Sequence, residues 1–311
     1  MTTLLLSHPD CLQHVTPYGH PEQVARLQRV LKALETSEFN ALTRENAPMG
    51  EAAHVLLAHP LAHLKHLQDV APTQGQISLD ADTHMSAGSL TAALRAVGAN
   101  TRAVDQVMGG NVQNAFCATR PPGHHAEREK PMGFCLFGNV AIAAKHALEN
   151  HGAERVAIVD FDVHHGNGTQ DLLWDDSRTL FCSSHQMPLY PGSGAATETG
   201  AHGNVLNYPL SEGGSTNTMQ AAYEGEILPA IEAFNPDLIL ISAGFDAHRA
   251  DPLAGLMWEV DDFRWLTHRI CDVADKVCGG RIVSTLEGGY DLDALAACVA
   301  VHVEVLMERG A

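Results

Sequence analysis

RVAIVDFDVHHGNGTQDLLW (Arg155–Trp174) compresses three kinds of sequence into one short stretch. Its opening run, Val156 to Val159, is short, continuous and apolar, as a strand buried on both faces requires. Its end, GTQDLLW, reads as helix, and DVHHG between them gathers carboxylate and imidazole side chains. Working outward, the same alternation recurs. NAFCATR and a helix through VAIAAKHALENHG come before it, and TLFCSS, a helix around MQAAYEGEILPAIEAF and DLILISAG come after. A helix in DDFRWLTHRICDVADKV, the run RIVSTLEGG and a closing helix in DLDALAACVAVHVEVL complete the chain. Strands alternating with helices of this length predict an α/β fold, with a single open, mainly parallel sheet and helices on both faces. No Pro/Gly/Ser-rich linker or repeat interrupts the pattern, so residues 1–311 are read as one domain.

Sheets of this kind carry ligands at the carboxyl ends of their strands. RPPGHHA follows NAFCA, DFDVHHGNG follows RVAIV, GFDAHRADP follows DLILISA, and EGGYDL follows RIVSTL. Every cluster of chemically able residues is thus predicted at one sheet edge. Asp160, Asp162 and His164 alternate, and on an extended strand end they point to one side. Asp246, from another strand, is the candidate third ligand beside Asp162 and His164. Two carboxylates and one imidazole suit Zn²⁺ with an open fourth position, and Fe²⁺ tolerates the same set. Asp160 is then left to orient a histidine ring. His124 and His125 stand in a loop stiffened by Pro121 and Pro122, where each ring can be aimed by its own partner.

Nineteen Lys+Arg against 37 Asp+Glu give a formal charge of −18, the wrong sign for a surface that binds nucleic acid. The seven cysteines include no Cys-x-x-Cys pair and read as buried free thiols in a reducing compartment. MTTLLLSHPD lacks a basic leader region, and no membrane span is expected, so the composition points to the cytoplasm. Oligomeric state is not written in the sequence. His59, His63 and His66 fall at helical spacing without a carboxylate and read as helix surface. His185 and His202 read as loop residues, and His165 as packing.

GHHAEREKPMGFC, VDFDVHHGNGTQD, SAGFDAHRADPLAG and LEGGYDL resemble the signature segments of zinc-dependent histone deacetylases, nearest to the class II branch and its bacterial deacetylase-like amidohydrolases. The similarity runs from HPEQVARL (His20–Leu27) to the last helix. The resemblance implies an arginase/deacetylase-type fold and hydrolysis of an acylated amine. Asp162, His164 and Asp246 match the zinc ligands, His124 and His125 the tandem catalytic histidines, and Tyr290 the catalytic tyrosine. Gly133 and Phe134 match one wall of the acyl-lysine tunnel and Tyr190 the other. Family members also bind K⁺ near the metal strand, where Asp160, Asp162, His164 and Ser183 could supply oxygens. Asn167 stands beside the second histidine, where class I relatives carry aspartate. Polyamine-specific relatives carry glutamate after the Asp-Pro that follows the third ligand. Leu253 stands there instead, which favours acyl-lysine over the alternative of an acetylated polyamine. A di-metal ureohydrolase is disfavoured, since its extra bridging aspartates are missing after His164 and Asp246. A non-catalytic acyl-ligand sensor would have no need of Tyr290 and both histidines.

Overall fold

The computed structural model describes residues 2–310. Ten strands are formed: β1 (Thr3–Ser7), β2 (Thr43–Asn46), β3 (Gln76–Ser78), β4 (His84–Ser86), β5 (Asn114–Cys117), β6 (Val156–Asp160), β7 (Thr179–Gln186), β8 (Val205–Leu210), β9 (Leu238–Ala243) and β10 (Ile282–Leu286). Eight of them build one wholly parallel sheet in the order β2-β1-β5-β10-β9-β6-β7-β8, and β3 and β4 form a separate antiparallel pair. The α/β architecture expected from the alternation is therefore present.

The helices are α1 (Val24–Ala33), α2 (Ala52–Val55), α3 (Leu61–Val70), α4 (Ser89–Met108), α5 (Asn139–Asn150), α6 (Asn167–Leu173), α7 (Thr216–Ala222), α8 (Leu228–Phe234), α9 (Val260–Cys278) and α10 (Leu292–Gly310). They cover the two sheet faces, and the period-two alternation of each strand feeds two separate cores. Val156 and Ile158 of β6 pack with Ala99, Val140 and Ala144 of α4 and α5. Ala157 and Val159 face the other way, into a core with Ile270 and Ala274 of α9 and Val299 of α10. Burial on both sides explains why the central strands read as unbroken apolar runs.

The helix read through residues 219–234 is divided: a π-helical turn, Tyr223–Ile227, separates α7 from α8. Pro229 explains the change, because it has no N–H to continue the α-helical ladder. All seven cysteines are buried and unpaired, as expected. Among the described residues no helix is long and apolar enough to cross a membrane.

Strand order positions the chemistry. β5, β10, β9 and β6 are adjacent in the middle of the sheet, although they are far apart in sequence. Their carboxyl ends release the four loops that carry His124 and His125, Tyr290, Asp246, and Asp162 with His164.

Candidate active site

β6 ends at Asp160, so Asp162 and His164 lie on the loop beyond it rather than on an extended strand. Carboxylates take over from the sheet there. Asp160 accepts the Asp162 N–H at 3.1 Å, Asp246 the Val163 N–H at 2.9 Å, and Asp162 the His164 N–H at 2.9 Å. These bonds hold Asp162, His164 and Asp246 in one buried cluster, with one potential ligand atom from each within 4.8 Å of the others. His164 Nδ1 lies 3.1 Å from both Asp162 Oδ1 and Asp246 Oδ2. Burial opposes charge on that ring, yet the two carboxylates raise its pKa to about 10. Gly288 is required beside them: a Cβ there would come within 2.2 Å of Asp246 Oδ2 and 2.5 Å of Asp162 Oδ2. Its N–H instead donates to Asp162 Oδ2 at 2.8 Å.

The paired histidines face the cluster with centroids 4.0 Å apart. His124 Nδ1 meets Asp160 Oδ2 at 3.0 Å, and His125 Nδ1 meets Asn167 Oδ1 at 2.7 Å. One ring therefore has a carboxylate partner and its neighbour an amide. Burial disfavours charge on both, but Asp162 and Asp160 hold the His124 pKa well above the ordinary value. Burial, reinforced by His124 and His164, holds His125 well below it. The Asn167 amide cannot turn round freely, because its Nδ2 donates to Glu127 Oε1 at 2.7 Å and a carboxylate only accepts. His125 thus carries its proton on Nδ1, leaving the Nε2 lone pair free.

A cavity of about 220 Å³ opens over these groups, lined by Asp82, His125, Gly133, Phe134, His164, Leu189, Tyr190, Leu253 and Tyr290. Gly133, Phe134 and Tyr190, expected to wall a tunnel, are among them, and so is Leu253, expected to bear on substrate choice. Gly133 is at φ 55°, and a Cβ there would collide with the His125 ring, so this wall and the histidine are in direct contact. Tyr190 packs edge-on against His125 at 5.2 Å and Phe134 against Tyr290 at 5.9 Å. A larger groove, about 820 Å³, lies between α1, α9 and α10, but its lining includes no histidine or cysteine.

Several contributors were not singled out by sequence reasoning. Glu287, inside the quoted LEGGYDL, accepts from the backbone of Gly123 at 2.7 Å and His124 at 3.2 Å, anchoring the tandem-histidine loop. Asp251 accepts the Tyr290 N–H at 2.7 Å. The Arg26 guanidinium stands 4.8 Å from the centre of the Tyr290 ring and donates to the carbonyls of Gly289 and Glu287. Buried Glu22 pairs with both Arg26 and Arg120. Asp82, just before β4, reaches the cavity from a segment without any local signal.

Three histidine expectations are corrected. His59 and His63 are buried, not on a helix surface: His59 accepts the Gly138 N–H at 2.8 Å, His63 bonds the Leu136 carbonyl at 2.8 Å, and both rings pack on Phe137. His66 is exposed, as expected. His185 is not in a loop; it sits inside β7, buried and held between Ser183 and the Gly194 carbonyl. His202 lies in a turn, and His165 packs between Ser193 and Gln170.

The pattern described as "Histone deacetylase domain" matches residues 20–306. This chain belongs to the histone deacetylase family. It is 39% identical over 302 residues to histone deacetylase 10, chloroplastic, of Oryza sativa subsp. japonica, covering 91% of this chain and 68% of that one. It is 37% identical over 293 residues to the histone deacetylase-like amidohydrolase of Pseudomonas aeruginosa, covering 93% of this chain and 77% of the relative. Among solved structures, the HDA15 HD domain superposes with a TM-score of 0.93 at 33% identity, over 99% of this chain and 89% of that one. The family member described here thus shares its fold with that domain along nearly its whole length.

Proposed function

We propose that the protein is a zinc-dependent deacylase that removes an acyl group, acetyl foremost, from an acylated lysine. The observation that carries this reading is the convergence of Asp162, His164 and Asp246 beneath a narrow aromatic cavity that also exposes His125 and Tyr290. Asp162 and Asp246 are fully buried, and no lysine or arginine pairs with either among the described residues. Without a metal the positive charge between these two carboxylates is the proton of His164; a divalent ion in its place leaves that ring a neutral ligand and satisfies both carboxylates, so this donor set fits a divalent metal ion. Zn²⁺ suits it, and Fe²⁺ has the same ligand tolerance. When bound, the ion supplies Lewis acidity to the amide carbonyl and makes water a better nucleophile.

The remaining chemistry belongs to side chains. His125, kept neutral and with its Nε2 lone pair free, takes the proton of the attacking water. His124, charged through its pairing with Asp160, stabilises developing negative charge and holds a proton for the leaving amine. Two neighbouring rings are thereby driven to opposite protonation states by their partners. Burial, with the nearby carboxylates of Asp246 and Asp162, pushes the Tyr290 phenol well above its ordinary pKa despite Arg26, so the hydroxyl stays a donor to the tetrahedral oxyanion. Phe134 and Tyr190 exclude water around a thin aliphatic chain.

A structural K⁺ is part of the same reading. Asp160 and Ser183 are register partners on the neighbouring strands β6 and β7. An acetylated polyamine is the second substrate reading, favoured by the Asp82 carboxylate on the cavity wall. Leu253, apolar on the same wall, favours acyl-lysine. The deciding experiment strips the protein of metal, restores Zn²⁺, and compares kcat/KM for an acetyl-lysine peptide and for acetylated polyamines. Zinc-dependent turnover with preference for the peptide is expected. No hydrolysis of either substrate by the reconstituted protein overturns the proposal.

A further inference from the structure

A second group of metal-binding side chains lies at the other edge of the sheet. Asp105 is in the last turn of α4, His146 near the end of α5, and His151 caps α5. Both helices end where the chain is about to enter a strand, β5 after α4 and β6 after α5. The cluster is therefore beside the amino ends of the strands, across the sheet from the candidate active site. His146 Nε2 and His151 Nε2 each lie 2.8 Å from the same oxygen, Asp105 Oδ1. One potential ligand atom from each of the three residues lies within 4.8 Å of the others. No lysine or arginine pairs with Asp105 among the described residues.

We infer that Asp105, His146 and His151 form a second, independent site for a divalent transition-metal ion, of which Zn²⁺ is the type. Three features of the cluster argue for a cation beyond simple hydrogen bonding. The donor set is two imidazoles and a carboxylate, which selects Zn²⁺, Ni²⁺, Co²⁺ or Cu²⁺ over the hard cations Mg²⁺ and Ca²⁺. Two helix carboxyl ends converge on it, and the partial negative charge of each favours a cation there. Finally, both imidazoles converge through Nε2 on a single oxygen, Asp105 Oδ1, with His146 buried, the convergence that one shared cation requires. His54 of α2 adds a third imidazole alongside, its ring centred 5.4 Å from that of His146. On metal uptake each ring binds through Nε2 as its Nδ1–H tautomer, the proton that faced Asp105 passing to Nδ1 by exchange with solvent and any second ring proton being released to water, while Asp105 turns its lone pairs to the ion. Asp105 and His151 remain partly exposed, which leaves an entry path and room for water ligands. The bound ion ties the end of α4 to the end of α5.

The test counts metal in four purified, chelator-stripped proteins after equilibrium dialysis against Zn²⁺: wild type, His151→Gln, Asp246→Ala, and the double variant. Wild type is expected to hold one ion more than His151→Gln, and Asp246→Ala one more than the double variant. Asp105→Asn, which keeps the side-chain shape, should lose the same equivalent, and zinc should shift the ring resonances of His146 and His151 in wild type. Zinc should also raise the melting temperature of Asp246→Ala more than that of the double variant. Because each comparison changes only the second cluster, failure of the catalytic metal assignment would show separately, as unchanged uptake between wild type and Asp246→Ala. Equal uptake with and without the His151 and Asp105 changes, in folded protein, overturns the second site. So does wild-type protein whose His146 and His151 resonances ignore zinc.

Discussion

Exchanging the chemical partners behind His125 should move the acidic limb of the pH–rate profile. Asn167 Oδ1 is 2.7 Å from His125 Nδ1, and the amide is held in that sense by Glu127, 2.7 Å from Nδ2. The double variant Asn167→Asp with Glu127→Gln keeps the number of carboxylates and hydrogen bonds but puts the negative charge directly on the ring. A neutral hydrogen bond contributes about 1 kcal/mol and one to a charged group about 1.5–3 kcal/mol, so the imidazolium gains about 0.5–2 kcal/mol. At about 1.4 kcal/mol per unit, this raises the His125 pKa by about one unit. Asn167 and His125 are both buried, so solvent screens little of the effect. The sign follows from the role: His125 must be neutral to accept a proton, so a higher pKa shifts the rising limb of kcat/KM to higher pH. Below the limb the variant should be about tenfold slower than wild type, converging with it on the plateau. The assay is kcat/KM for an acetyl-lysine peptide across pH, with metal content measured at each point. A limb that stays in place in a folded, metal-loaded variant refutes His125 as the base.

Asp246→Ala should lose tight metal binding at the cluster with Asp162 and His164 while keeping the fold, since Asp246 lies beyond the end of β9; metal analysis decides it, and full retention would exclude Asp246 as a ligand. Tyr290→Phe should keep metal content and KM but lose roughly 10²–10³ in kcat, the usual cost of removing one oxyanion donor. Wild-type kcat in that variant would remove Tyr290 from the reaction. Leu253→Glu should raise kcat/KM for acetylated polyamines relative to acetyl-lysine peptides, because its carboxylate pairs with a distal ammonium; an unchanged ratio places Leu253 away from the substrate. His302, buried between Thr267 and Ser284, has its pKa lowered by burial to about 3. Its folded pKa lies below its unfolded one, so stability is intact above about pH 6.5 and falls as pH drops toward 3, by about 2 kcal/mol at pH 5. His302→Gln should flatten the slope of unfolding free energy against pH in that window by up to one proton, and an equal slope would show that the ring is charged in the folded state.

The parts legible in the sequence were those whose cause is local. β6, β9 and β10 stand out as VAIVD, LILISA and IVSTL because both faces are buried, so no polar alternation dilutes the run. β2, reading TREN at the edge of the sheet, and β8, VLNYPL with a proline inside it, carry no such run. Asp162, His164 and Asp246 were legible because loops at strand ends concentrate the chemistry in short motifs. Glu22 was not, since its meaning lies in Arg120, 98 residues away, and in Arg26, which braces Tyr290 from behind. His59 and His63 show the limit of periodicity: helical spacing is the same on a buried and an exposed face, and only Phe137, far along the chain, decides which face is covered. The decisive fact is likewise non-local. β5 and β6 follow one another among the central strands, yet β10 and β9 are inserted between them, and this insertion brings Tyr290 and Asp246 between the tandem histidines and the Asp162–His164 loop. Local sequence can name the four loops, but their adjacency is a property of strand order, which is set by how two large cores close over the sheet.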